Sequence, residues 1–285
     1  MAKTFAEVLH KGYAQTFEVM GEMLVDEQSA FQHIQIFDTP LNGRVMALDG
    51  IVQVTDRDEA SYSEMLVHMP VMEIGTAKRV FIIGGGDGAV AEEALKHPSI
   101  EVEMCEIDGR VVEACKEHLP HVNNGAFAHP RFTLHLRDAF EFLKESSTKG
   151  RFDVIVADRP DPVGPAEVLF QTSFYELVRD ALTDQGVVVF QNGTPFYQPS
   201  ELTDTMSQLR GVFPQSGCYL TVTPTYIGGF MALTWGSKGT RLGSAAPDEI
   251  VRRWQAAGVA TDYYNPAIHA AALALPEWIR RLVAV

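Results

Sequence analysis

The stretch Val80-Phe81-Ile82-Ile83-Gly84-Gly85-Gly86-Asp87-Gly88 decides the fold. Its first four residues are continuously apolar, as in a strand buried on both faces. Five turn residues follow, and Val90–His97 then has helical character. Glycines at 84, 86 and 88 permit a tight turn and let a ligand approach the backbone closely. A strand–glycine turn–helix unit of this kind expects an acidic residue about 20 positions on, to hold a ribose diol. Glu106 stands at that distance, at the end of the next apolar run. Asp87 sits inside the turn, where it would repel a pyrophosphate. An interior carboxylate instead suits a cationic ligand, which favours an adenosyl-sulfonium compound of the S-adenosylmethionine class over NAD.

Outward from this unit, short apolar runs alternate with amphipathic segments. Strands are expected at Val80–Ile83, Val102–Cys105, Phe132–Leu136, Asp153–Ala157 and Gly186–Phe190. Helices are expected at Val90–His97, Arg110–His118, Phe140–Lys144, Thr172–Leu182 and Pro199–Val212. Cys218–Val222 and Gly229–Trp235 have no helix between them and are expected to pair antiparallel at the sheet edge. Upstream, Phe17–Leu24, Gln32–Phe37, Arg44–Leu48 and Ile51–Thr55 read as strands, punctuated by the hairpin dipeptides Asn42-Gly43 and Asp49-Gly50. Asp58 to Val71 reads as a helix. The fold class is therefore α/β: a Rossmann-like, methyltransferase-type doubly wound sheet over residues 71–285, preceded by a small N-terminal β-hairpin domain over 1–70.

Composition bounds the rest. The chain has 285 residues, 46% of them apolar, with 37 acidic against 23 basic side chains and a formal charge of −14. A chain this acidic is poorly suited to nucleic acid or anionic membrane. No run approaches the roughly 20 apolar residues of a membrane span, and no secretory h-region opens the chain. Cys105, Cys115 and Cys218 are too few and too scattered for a disulfide framework or a metal cluster, so a cytoplasmic location is expected and no metal is called for.

Two further segments carry chemistry. Asp138 follows the third strand of the doubly wound part, where a carboxylate can accept from an adenine amine or cap the next helix. The fourth strand ends in Asp158-Arg159-Pro160-Asp161-Pro162-Val163-Gly164-Pro165. Two carboxylates held by three prolines at the carboxyl end of a strand make a stiff acidic loop, able to bind an amine and take a proton from it.

The glycine turn, Cys105-Glu106-Ile107-Asp108, Asp158 to Pro165 and the downstream Leu169-Phe170 together resemble the polyamine aminopropyltransferases. Gly43 to Gly50 with Gln53 is similar to that family's N-terminal hairpin, and Asp58-Glu59, Tyr62 and Glu64-Met65 to its signature stretch. Pro224-Thr225-Tyr226 resembles a later pocket segment and Tyr263 to His269 the bacterial C-terminus. The resemblance implies transfer of an aminopropyl group from decarboxylated S-adenosylmethionine, a co-substrate rather than a cofactor, to a diamine, usually putrescine. It implies Asp158 as the base. Donor contacts would come from Gln32, Gly84, Gly86, Asp87, Gly88, Glu106, Asp138, Ala139 and Pro165. Acceptor contacts would come from Tyr62, Ser63, Asp161, Gln191 and Tyr226. It also implies a homodimer or homotetramer. Asp87 would welcome the donor's ammonium and repel the carboxylate of intact S-adenosylmethionine.

The chain departs from the family pattern at Ser63, where Gln or His is usual, at Ala60, where Phe is common, at Asp56 and at Arg159-Pro160. The smaller Ser63 and Ala60 point to a wider acceptor pocket and so to cadaverine, agmatine or spermidine as alternatives to putrescine. Arg159 would pair with Asp161 or point to solvent. Two other readings stand beside this one: an S-adenosylmethionine-dependent amine methyltransferase, and a non-catalytic binder of polyamine or nucleoside.

Overall fold

The computed structural model describes residues 3–159 and 169–284. The chain opens with an antiparallel meander of five strands: β1 (Lys3–Glu7), β2 (Gln15–Gln28), β3 (His33–Thr39), β4 (Gly43–Leu48) and β5 (Ile51–Thr55), paired in sequence order. The Asp49-Gly50 turn between β4 and β5 has φ of +49° and +78°, the two left-handed residues that a two-residue hairpin demands. One face of this sheet closes on its own cluster of Phe5, Phe17, Phe37 and Val45. The other face presents Ile34, Ile36, Met46 and Val54 to Ala89, Val111 and Cys115 of the second sheet's helices. The opening strand β1 is an addition to the expected set, and β2 is longer than expected, with an irregularity between Met20 and Val25.

Helix α1 (Glu59–Ile74) follows, and then the alternating part: β6 (Arg79–Gly84), α2 (Ala89–Leu95), β7 (Glu101–Glu106), α3 (Gly109–His118), the single turn α4 (Pro120–Asn123), β8 (Phe132–Leu136), α5 (Ala139–Leu143), β9 (Phe152–Asp158), α6 (Thr172–Ala181), β10 (Leu182–Gln191), α7 (Pro199–Val212), β11 (Gln215–Thr221) and β12 (Met231–Ser237). Three C-terminal helices complete the chain, α8 (Pro247–Ala257), α9 (Pro266–Ala272) and α10 (Glu277–Ala284). The seven strands lie in the order β11-β12-β10-β9-β6-β7-β8. β10, β9, β6, β7 and β8 are mutually parallel, and β12 runs antiparallel to both β10 and β11. The two late strands therefore close the edge as an antiparallel pair, as the missing helix between them required.

Alternation along each strand sends side chains to two helical layers. Val80, Ile82, Val154 and Val156 pack beneath α1 and α2, while Phe81, Ile83, Phe152 and Ile155 pack against α5, α6 and α7. Helix α1 runs through position 70, where the sequence reading divides the chain. Met65, Leu66, Met69 and Met72 place its buried side on the seven-stranded sheet. No helix among the described residues is long and apolar enough to cross a membrane.

Candidate active site

The strand order reverses beside β6: β7 continues on one side and β9 lies on the other. In open parallel sheets such a reversal leaves a crevice at the carboxyl ends of the strands. Gly84, the last residue of β6, is the register partner of Asp158, the last residue of β9. The fit is close. A Cβ on Gly84, whose φ is +80°, would lie 2.1 Å from the Asp158 carbonyl oxygen. Gly85 has Asp158 Oδ2 within 3.5 Å of the same virtual position. On the other side, a Cβ on Gly86 would meet Val111 Cγ1 at 2.8 Å and Glu106 Oε2 at 3.1 Å. At Gly88, whose φ is +83°, a Cβ would meet Asn123 and Phe127 at 2.8 Å. The turn thus brings the expected ribose carboxylate and the expected base to opposite sides of one backbone loop.

Each carboxylate is set differently. Glu106 is buried and accepts from Asp108 N at 2.8 Å; burial raises its pKa to about 7. Asp108 caps α3 through Arg110 N at 3.0 Å and takes Ser29 Oγ at 2.6 Å and Gln32 Nε2 at 3.0 Å on its other oxygen. Gln32 therefore stands behind Glu106, tying the N-terminal sheet to the loop after β7. Asp87 accepts from Ala89 N at 2.9 Å and is pushed upward in pKa by burial. Asp138 caps α5 through Phe140 N at 2.7 Å, with Ala139 buried beside it. The capping bond occupies Oδ1.

Asp158 Oδ1 accepts from the Tyr62 hydroxyl at 2.5 Å. Burial, and then the charge of Asp87, raise the Asp158 pKa to about 7, and the Tyr62 bond works against that rise. The Tyr62 ring meets Tyr226 edge-on, with centroids 5.5 Å apart and planes at 79°. Gln191 ends β10 and accepts from Gly193 N at 2.8 Å. Ser63 is fully buried. Its hydroxyl lies 3.0 Å from the Glu59 carbonyl and also bonds the Glu59 carboxylate, so its influence on any ligand passes through Glu59. Burial raises Glu59 to about 8. Asp161 and Pro165 lie outside the described residues.

Arg159 corrects one of its two expected placements, while pairing with Asp161 lies outside the described residues. It is 2% exposed, not turned to solvent. Because Asp158 faces the cleft, its neighbour faces the opposite layer. There the guanidinium lies 3.6 Å from the centroid of Phe170, beside Tyr175 and Phe190, and donates to the Tyr175 hydroxyl at 3.1 Å and to the Leu169 carbonyl. Two useful side chains escaped the sequence reading. Ile107 and Leu136, at the ends of β7 and β8, are 45% and 59% exposed and offer an apolar surface beside Glu106 and Asp138. An exposed apolar residue leaves no mark in the periodicity of a strand. His68 and His97 are buried and bonded to each other at 3.0 Å, with Glu93 on His68.

Residues 59–243 match the family model for the spermine/spermidine synthase domain, and residues 4–56 match that for the spermidine synthase tetramerisation domain. The chain belongs to the spermine/spermidine synthase family. It is 47% identical to a polyamine aminopropyltransferase of a Ruegeria species, over 97% of this chain and 96% of that one. It is 44% identical to polyamine aminopropyltransferase 1 of Pseudomonas aeruginosa, over 98% and 97%. Among solved structures it is similar to a spermidine synthase in complex with the transition-state analogue AdoDATO, with a TM-score of 0.92 and 32% identity, over 100% of this chain and 97% of that one. The spermidine synthase of Thermotoga maritima gives a TM-score of 0.91 at 32% identity, over 100% and 96%. The spermine/spermidine synthase family fold thus extends over the whole chain, and the N-terminal meander is its smaller part.

The crowded carboxylates have a measurable consequence for this family member. Asp158 and Glu106 stand at about 7, and Glu59 and Glu93 at about 8, each raised chiefly by burial. Between pH 6.5 and 8 the folded state therefore holds more protons than the unfolded one, so stability falls as pH rises. His68 and His97, lowered to about 4 and 3, are neutral in the folded state but about half protonated in the unfolded chain at pH 6.5, so they oppose the trend at the lower end of the window without outweighing the four raised carboxylates. Their cost fades toward pH 8 and grows as pH falls through 6.5. Scanning calorimetry of the ligand-free protein should show its midpoint dropping from pH 6.5 to 8, and a flat profile would refute the carboxylate assignment.

Proposed function

We propose that this enzyme, an aminopropyltransferase by its family, moves the aminopropyl group of decarboxylated S-adenosylmethionine to putrescine, giving spermidine and 5′-methylthioadenosine. The observation that carries the reading is the placement of the Asp158 carboxylate against the glycine turn, with Asp87 in that turn and Glu106, at the end of β7, against it. A sulfonium donor and an ammonium acceptor both find counter-charge there, and the backbone between them is stripped of side chains.

On this reading Glu106 accepts from the ribose hydroxyls, and Ile107 and Leu136 give the adenine an apolar bed, with Asp138 and Ala139 at its amine edge. Asp87 takes the ammonium of the aminopropyl chain. Gln32 would reach the same end of the donor only on leaving Asp108, and its present place supports a role in holding the Glu106 loop. The acceptor enters on the side of Tyr62, Tyr226 and Gln191. Its attacking nitrogen must lose a proton, since an ammonium has no lone pair and its unperturbed pKa is about 10. Asp158 takes that proton. The nitrogen lone pair then forms the new N–C bond as the C–S bond breaks, and the sulfur leaves as a neutral thioether with the bond's electron pair. The leaving group needs no proton, so positioning along the N–C–S line supplies much of the remaining acceleration. Assembly through the N-terminal sheet, as a dimer or tetramer, and a cytoplasmic location belong to the same proposal; the tetramerisation-domain match at residues 4–56 supports the first.

The test is incubation with decarboxylated S-adenosylmethionine and, separately, putrescine, cadaverine, agmatine, diaminopropane and spermidine, with products read by mass spectrometry. Spermidine formed fastest from putrescine is the expected result. A faster reaction with another amine transfers the proposal to that acceptor, and methylated amine from intact S-adenosylmethionine overturns it.

Tyr62 supplies a second check. Its hydroxyl holds the Asp158 pKa down, so Tyr62→Phe should raise it. A hydrogen bond to a charged group contributes about 1.5–3 kcal/mol, so the acid limb of the kcat/KM profile should move up by about one pH unit or more. An unmoved limb would separate Tyr62 from the base.

A further inference from the structure

Tyr226 reaches the acceptor side of the cleft from a loop between β11 and β12, and its hold on position comes from elsewhere. Its hydroxyl donates to the carbonyl of Gln53 in β5. The residue before it, Thr225, is buried and bonded three ways. Its N–H and its hydroxyl each donate to Asp58 Oδ2 at 2.7 Å, and its carbonyl accepts from Gln15 Nε2 at 2.7 Å. Gln15 opens β2, and its amide also donates to the buried carboxylate of Glu7 in β1 at 2.5 Å. Asp58 is buried too, and its other oxygen takes the hydroxyl of Thr55, the last residue of β5, at 2.6 Å. One turn into α1, Ser61 continues the seam: its carbonyl accepts from Thr221 Oγ1 at 2.6 Å, and its hydroxyl meets Thr223 Oγ1 at 3.3 Å. Tyr62 is the next residue. The two aromatic side chains that meet edge-on in the cleft are therefore suspended from one buried polar seam, and two of its anchors, Gln15 and Gln53, belong to the N-terminal sheet.

We propose that Gln15 and Asp58 are positioning residues through which the N-terminal sheet sets the Tyr226 loop, and with it the fit of the amine acceptor. The inference rests on the reading of Tyr226 as an acceptor-side residue. It gives the sheet a part in the reaction site in addition to any part in assembly. The donor side shares none of these bonds: its own link to the N-terminal sheet runs separately, through Ser29 and Gln32 to Asp108.

The experiment compares Gln15→Ala with the wild type in kinetics, calorimetric titration and light scattering. One net hydrogen bond corresponds to a factor of about two to ten, so the acceptor KM and the amine dissociation constant should rise about fivefold. Donor affinity and kcat should stay within about twofold, and molecular mass should be unchanged. Thr225→Ser keeps every bond of the seam and should behave as the wild type. Asp58→Asn, if it folds, should shift the acceptor KM in the same direction as Gln15→Ala. Equal losses for donor and acceptor, or an acceptor KM and amine affinity that do not move, would overturn the inference. Absence of turnover in the wild type would overturn the proposed reaction instead, and the amine titration then decides the role of Gln15 alone.

Discussion

Asp158→Asn should lower kcat by about 10²–10⁴-fold, the range for loss of a general base, while the donor binds with nearly wild-type affinity. The amide has the size of the carboxylate and can still accept from Tyr62, so the cleft keeps its shape. It cannot take a proton from an ammonium. An acid limb near pH 7, expected if Asp158 is the base, should vanish from whatever activity remains. Single-turnover kinetics with saturating donor separate this outcome from a binding defect. A variant that retains a tenth or more of the wild-type rate would remove Asp158 from the mechanism and leave the proton to another group.

Gly84→Ala should be the most damaging change of a single methyl. At φ +80° the added carbon carries the strain of a left-handed residue, of order 1–2 kcal/mol. It would also stand 2.1 Å from the Asp158 carbonyl, a main-chain atom at the end of a buried strand that cannot swing aside. Gly12 is the control. Its φ is +82° and a Cβ there meets nothing within 4 Å, so Gly12→Ala bears the strain alone. Thermal unfolding should show a loss of about 1–2 kcal/mol for Gly12→Ala and several kcal/mol for Gly84→Ala, the latter with turnover lost as well. Equal stability losses would mean that β6 and β9 have room between them, contrary to their packing.

The same contrast explains what could be read in advance. The parallel sheet, its antiparallel edge and the glycine turn were legible because each leaves a local mark: continuous apolar runs, absent helices, glycines where the backbone turns. Glu106 was legible because a carboxylate at a strand end is a fixed distance from the turn. The hold on Tyr226 was not, since Asp58 and Thr225 are distant in sequence and meet only through folding. Arg159 misled for a related reason. A charged residue beside prolines reads as solvent-facing, and only the alternation of β9 with a facing aromatic layer shows that it is buried. Strand β1 is short and half-exposed and did not stand out by periodicity, and the three C-terminal helices are short, at eleven, seven and eight residues.

The proposed donor and acceptor contacts also differ in how the chain supplies them. Apart from Gln32 and Pro165, the former lie within residues 84 to 139, one unbroken run over successive strand ends. Among the described residues the latter are gathered from α1, β10 and the loop before β12, and the seam that holds them reaches back to β1, β2 and β5. A gene segment exchanged between relatives can therefore carry the nucleoside site across whole, whereas no single exchange can carry the amine site. Lineages of this fold should keep one donor while their amine preference wanders by scattered point changes, and attempts to transplant that preference by grafting a single loop should fail.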